Sequence, residues 1–272
     1  MAPFLSHLVI GERVWLALDG AWPASEGYGT FLFGCLAPDV DKFCAGLEQA
    51  TTHFLPKDPD RTWVQRRTQH FLEQPGRFLR AAFPTLEAME QALVLGYLCH
   101  VATDEMTGRL AGEIYQQAVS LGVTMPSADA MLTAVDPRLW SMALDPEAIV
   151  EALEQARIPG KTLPFAPPEC LRALHSVVLP QVREGGGLEP YLGTVRRHWR
   201  LMHHNTIDRG PADGARDAEL EARLAALQQE LEADLPLAEQ LVDELDLHAF
   251  MRNAVDHSCQ RIQGLLAEEN RQ

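Results

Sequence analysis

Apolar positions along this chain recur at helical spacing, and alternating Val, Ile and Thr runs of the kind that make strands are almost absent. The pattern predicts an all-α protein. Pro3 can open a first helix, with Phe4, Leu8, Gly11, Val14, Trp15 and Leu18 along one side. A second helical piece is expected over 30–36, ended by Pro38, and 39–59 reads as a mixed, loop-like stretch. Residues 60–83 read as helical with a break near Pro75-Gly76. The most legible helix follows Pro84, with Thr85 as N-cap and its pattern carried from Leu86 through Thr107 to Gly108; a shorter helix is expected over 109–120. The proline-rich middle, 122–168, suits short helices or a lid. Gly185-Gly186-Gly187 reads as a turn, since neither a flanking strand nor a Lys-Ser/Thr pair makes it a phosphate cradle. A helix containing 191–207 leads to a polar turn at 209–214, and two long amphipathic segments, 215–233 and 236–267, finish the chain.

These elements divide most simply into a single helical domain over 1–272. Within it, 1–120 form the core helices, 121–210 a variable helical and loop region, and 211–272 an acidic C-terminal helical hairpin. At 272 residues the chain is long enough to bury a core without help from a disulfide or a metal. Acidic groups outnumber basic ones, 38 to 23, for a net charge of −15, and residues 213–272 alone carry 14 acidic against 5 basic side chains. Such a surface repels phosphate backbones and anionic membranes, so no nucleic-acid partner is expected. Five cysteines without CxxC spacing read as free thiols in a reducing compartment. The N-terminus lacks a basic, uninterrupted signal and no apolar run reaches transmembrane length, so the expected location is cytoplasmic. The long acidic C-terminal helices offer a surface for a homodimer.

Polar residues at core positions change the picture. His100 and Asp104 stand i, i+4 on the predicted helix, on the face that continues through Gly96, Leu93 and Met89. A buried carboxylate needs a cationic or hydrogen-bonding partner. A plain His–Asp hydrogen bond would serve, and so would a divalent ion gripped by imidazole and carboxylate. His7 falls on the apolar side of the first helix, Asp39 follows Ala37-Pro38 at a helix end, and His53 is flanked by residues that prefer burial. Four separate segments each aiming a nitrogen or oxygen ligand inward favour the ion.

Leu5-Ser-His7, Gly34-Cys-Leu-Ala-Pro-Asp39, Thr52-His-Phe54 and Gly96-Tyr-Leu-Cys-His-Val-Ala-Thr-Asp-Glu105 together resemble the bacterial zinc-dependent phospholipase C family over about the first 110 residues. The resemblance implies a multi-helix bundle of the phospholipase C and P1 nuclease type, here with additional C-terminal helices. It implies one or two Zn2+ ions, with other divalent metals compatible with the ligand types. Asp39, His53, His100 and Asp104 would hold one ion, and Asp104 would bridge to a second that His7 also binds. The family's third zinc takes two histidines soon after the bridging aspartate, whereas this chain has no histidine between His100 and His175. His198, His203 and His204 are the remaining candidates for ligands; His248 and His257 read as exposed, and His70 and His175 carry no signal.

Two classes of function follow. One is a metal-dependent hydrolase of phosphoester bonds in a small organic phosphate or a phospholipid head group. Asp39 and Glu105 are then candidate catalytic groups and Lys42 a candidate substrate contact, with Arg109 also near enough in sequence to meet a phosphate. The other is a non-hydrolytic metal-binding structural or interaction protein, or a metalloenzyme of another reaction class.

Overall fold

The computed structural model describes residues 4–18, 27–44, 46–53, 83–158, 163, 166–205 and 213–269. Among them the chain is all-α, with no strand. The expected helix over 60–83, the Pro75-Gly76 break, His70, and the side chains of His203 and His204 lie outside the described residues.

Helix α1 (Phe4–Ala17) is buried on every side from Phe4 to Glu12, so it enters the core rather than lying on it. Helix α2 (Tyr28–Gly34) passes into a 3-10 helix, Ala37–Phe43, and a single turn, α3 (Gln49–Thr52), follows. Pro38 therefore opens a new helical turn rather than ending the old one, because proline suits the first turn of a helix, where its missing N–H is no loss. After a 3-10 turn at Phe83–Thr85 comes α4 (Ala88–Leu121), which has all of 92–106 buried. Its N-cap is Glu87, in a reciprocal capping box with Glu90, not Thr85. Nor does it stop at Gly108. Met106, Leu110, Ile114 and Ala118 continue the buried face across the glycine, and the stop comes at Gly122 in a left-handed conformation.

The middle of the chain holds α5 (Ala128–Trp140), capped by Ser127, and α6 (Pro146–Glu154), capped by Asp145. Next come α7 (Pro168–Glu184) and α8 (Leu188–Asn205), separated by the glycine turn. The chain closes with α9 (Asp213–Asp243) and α10 (Leu247–Glu269). The expected break before Pro236 falls instead at 244–246. The apolar stripe Leu220, Leu224, Leu231, Ala238 and Val242 runs straight past the proline, and packing along it outweighs the one lost backbone hydrogen bond. The C-terminal helices pack separately, α9 along α5 and α10 along α4 and α1.

Helix α4 is the axle of the fold. Its closest neighbour is α2, and the two backbones touch at Gly34 and Gly96. A Cβ on Gly96 would sit 2.0 Å from the Phe31 carbonyl oxygen, and one on Gly34 would sit 2.4 Å from that of Leu93. One apolar core takes side chains from Phe4 through to Leu265. A disulfide joins Cys44, at the end of the 3-10 helix, to Cys170 in the first turn of α7, with Cα atoms 5.3 Å apart. This corrects the expectation of five free thiols: folding brings together two cysteines 126 positions apart, which no local spacing signals. Cys35, Cys99 and Cys259 are free.

Candidate metal centre

The two backbones that touch at Gly34 and Gly96 fix the first ligand. Cys35 lies just beyond α2, and its carbonyl accepts a hydrogen bond from His100 Nδ1 at 2.7 Å. A carbonyl only accepts, so Nδ1 carries the proton and the neutral ring keeps its lone pair on Nε2. That Nε2 is buried and has no hydrogen-bond partner. One turn on, Asp104 Oδ2 lies 3.7 Å from it.

Helix α1 brings His7 against the other side of the same pair. The His7 and His100 rings stack with centroids 3.8 Å apart and planes 6° from parallel, and His7 Nε2 stands 3.7 Å from Asp104 Oδ1. Neither ring nitrogen of His7 has a partner. The third imidazole comes from the end of α3. His53 Nε2 lies 3.4 Å from Asp39 Oδ1 and 3.8 Å from Asp104 Oδ2, while its Nδ1 meets the Thr52 hydroxyl at 2.9 Å. Tyr97 on α4 holds this turn in place by donating its hydroxyl proton to the Thr52 carbonyl. Asp39 sits in the first turn of the 3-10 helix, with Lys42 Nζ donating to its Oδ1 and its Oδ2 left without a partner.

All five expected ligands therefore converge. His7, His100 and Asp104 form one group whose donor atoms lie within 4.8 Å of one another, and Asp39, His53 and His100 form another. Around a tetrahedral ion with bonds of about 2.0–2.1 Å, neighbouring ligand atoms stand about 3.3–3.4 Å apart. The 3.4–3.8 Å separations here are close to that spacing. The unpartnered atoms are more telling than the distances. Unpartnered buried polar atoms are rare, and here His7, Asp39 and His100, from three segments of the two adjoining groups, each carry at least one. The donor set fits a divalent cation.

Electrostatics favour the ligating forms. Burial, reinforced by His100, holds His7 well below the usual imidazole range, and burial takes His100 down to about 4 despite Asp104. Burial opposes ionisation of Asp39, but Lys42 and His53 outweigh it and hold the carboxyl well below its ordinary value. Neutral imidazoles and an ionised carboxylate are what a metal requires.

Of the other candidates, Glu105 faces away from the centre. One residue along the helix from Asp104 means about 100° of rotation. This turns it onto α10, where His257 lies 2.6 Å away and Arg261 3.8 Å away. His257 is thus half-buried rather than exposed, while His248 is exposed as expected. His198 Nε2 donates to the Lys42 carbonyl, and His175 Nε2 to that of Leu153 at 2.8 Å. Sequence reasoning missed the supporting groups Thr52, Tyr97 and the Cys35 carbonyl. All three lie inside the motifs that carry the candidate ligands, but the bond made by a backbone carbonyl leaves no trace in a sequence.

Next to the centre lies a cavity of about 90 Å³. Phe4, one turn before His7, and Lys42, one turn after Asp39, form its near wall, with the Lys42 ammonium 5.3 Å from the Phe4 ring centroid. Comparison with family models, curated proteins and solved structures finds no match to this chain. Among the described residues, no helix is long and apolar enough to cross a membrane.

Proposed function

We propose that this chain is a metal-dependent hydrolase of phosphoester bonds, acting on a small organic phosphate or a phospholipid head group. The observation that carries the reading is the division of Asp104: Oδ2 faces His53 and His100, and Oδ1 faces His7. A carboxylate so placed suits two ions side by side, one held with Asp39, His53 and His100 and the other with His7. The motifs shared with zinc-dependent phospholipases C support zinc, while the ligand types also admit iron or manganese. When bound, such ions polarise a phosphoryl oxygen and acidify a water.

The chain's own groups do the rest. With neutral imidazoles, Asp39, Asp104 and Lys42 leave the centre one negative charge, which a single divalent ion reverses, so an occupied centre attracts anions. Lys42 has three N–H donors and gives one to Asp39, leaving the others for a phosphoryl oxygen. Asp39, held ionised by Lys42, can orient the attacking water by accepting a hydrogen bond from it. Glu105, expected as a catalytic group, is assigned instead to bracing α4 against α10 through His257.

A second reading draws on burial. His7, Asp39, His53 and His100 are each at most 2% exposed, as in a closed site that only braces helices. Metal content separates the two. Protein purified without added metal should carry up to two ions per chain by elemental analysis and hydrolyse members of a phosphoester panel. Asp104→Asn should lower both together. Hydrolysis that persists unchanged in that variant would show the metal-dependent mechanism to be wrong, and one tightly held ion without hydrolysis would favour the bracing role.

A further inference from the structure

The cavity beside the metal centre has a chemistry of its own. Its walls are apolar where Phe43, Leu132, Tyr191 and Val195 meet, yet Gln181 also lines it. The Gln181 side chain is 3% exposed and its Oε1 accepts no hydrogen bond. An unpaired buried carbonyl is costly in the resting protein and becomes an asset when a ligand brings an O–H or N–H. His198, on the same wall, donates Nε2–H to the Lys42 carbonyl, so its neutral ring keeps an accepting lone pair on Nδ1. Lys42 stands between cavity and centre, lining the first and bonded to Asp39 of the second. The lining thus offers a cation at the end next to the centre and acceptors elsewhere. At about 90 Å³ the space takes a small organic group.

We infer that this cavity seats the alcohol portion of the phosphoester and selects a short alcohol bearing hydrogen-bond donors, with Gln181 as the acceptor that reads them. The inference rests on the phosphoester reading of the adjoining centre, and its acceptors, Gln181 and His198, come from the part of the chain in which no motif is legible. A glycerol-sized group fits, whether as a free phosphate ester or as a lipid head group.

Non-hydrolysable phosphonates give the test. 3,4-Dihydroxybutylphosphonate and butylphosphonate share a carbon chain and differ in two hydroxyls. Titrated calorimetrically into the metal-loaded protein, the diol should bind about tenfold tighter, as one well-made buried hydrogen bond allows. Gln181→Leu should erase that preference without lowering Tm, because it removes an unpaired acceptor. Val195→Trp should weaken both ligands by filling the cavity while metal content stays unchanged. Equal affinities in the wild type, a preference surviving in Gln181→Leu, or indifference to Val195→Trp would each overturn the inference. Displacement of the diol by phosphatidylglycerol vesicles would make the lipid head group the source of the ligand; no displacement would make it the free ester. A Gln181-dependent preference without any phosphoester hydrolysis would remove the hydrolase reading and leave the cavity's selectivity standing. Hydrolysis without the preference would do the reverse.

Discussion

Asp136 shows how far a single buried group departs from its ordinary chemistry. Burial pushes its carboxyl up to about 8, although hydrogen bonds from Ser6 N and Oγ, both at 3.3 Å, pull the other way. The unfolded chain releases this proton near the ordinary 3.8, so between those values the native state binds the extra proton. Stability therefore falls as pH rises through that window and levels off above it. Asp136→Asn, which keeps an acceptor for Ser6, should match the wild type near pH 4 and gain in Tm up to about pH 8. Thermal melts across that range check this, and a gap independent of pH would refute it. At this scale the sequence is informative about which polar side chains converge and silent about what supports them. His7, Asp39, His53, His100 and Asp104 stood out because each breaks an apolar pattern. Glu12 did not, although it is buried too: its carboxylate accepts from the backbone N–H groups of Leu144 and Asp145, at 2.7 and 2.9 Å, across the start of α6. Its partners are main-chain atoms more than 130 positions away, and no pattern announces those.

Between elements, the contact that matters most is made by residues without side chains. Gly34 and Gly96 let α2 and α4 meet backbone to backbone, and this sets the Cys35 carbonyl against His100. Gly96→Ala must part the helices, because the atom it meets is a main-chain oxygen 2.0 Å away. A loss of about 1–3 kcal/mol in denaturant unfolding is expected from such overpacking. Metal retention should fall with it, since His100 loses its orienting partner. A variant neutral in both respects would contradict this account of the interface. Both glycines lay within the legible motifs, yet their role needs the neighbouring helix to be seen. Elsewhere packing outweighs the local preferences of glycine and proline. Gly108 costs a helix about 1 kcal/mol relative to alanine, and the buried series from Met106 to Ala118 makes that tolerable. Pro236 is passed over for the same reason.

For the molecule as a whole, the all-α class is legible from periodicity, and the buried His and Asp cluster is legible because its members lie within the first 104 residues. The Cys44–Cys170 link was not, and its presence removes the cysteine argument for a reducing compartment. Closing a loop of 126 residues restricts the unfolded chain strongly, so reduction should lower stability by about 2–5 kcal/mol. Denaturant melts with and without reductant measure this, and a Cys44→Ser, Cys170→Ser double variant should behave like the reduced protein. Equal stability in all three would show that the link does not constrain the chain. The link also ties the turn that carries Asp39 and Lys42 to α7, which supplies Gln181. The groups that could hold an ion thus lie within the first 104 residues, while Gln181 and His198 reach the adjoining cavity from a distant stretch of the same polypeptide, and Lys42 touches both. On the function proposed above, substitutions at Gln181 or Val195 would retune what the molecule accepts, whereas loss of one imidazole before residue 105 would silence it towards every ligand alike.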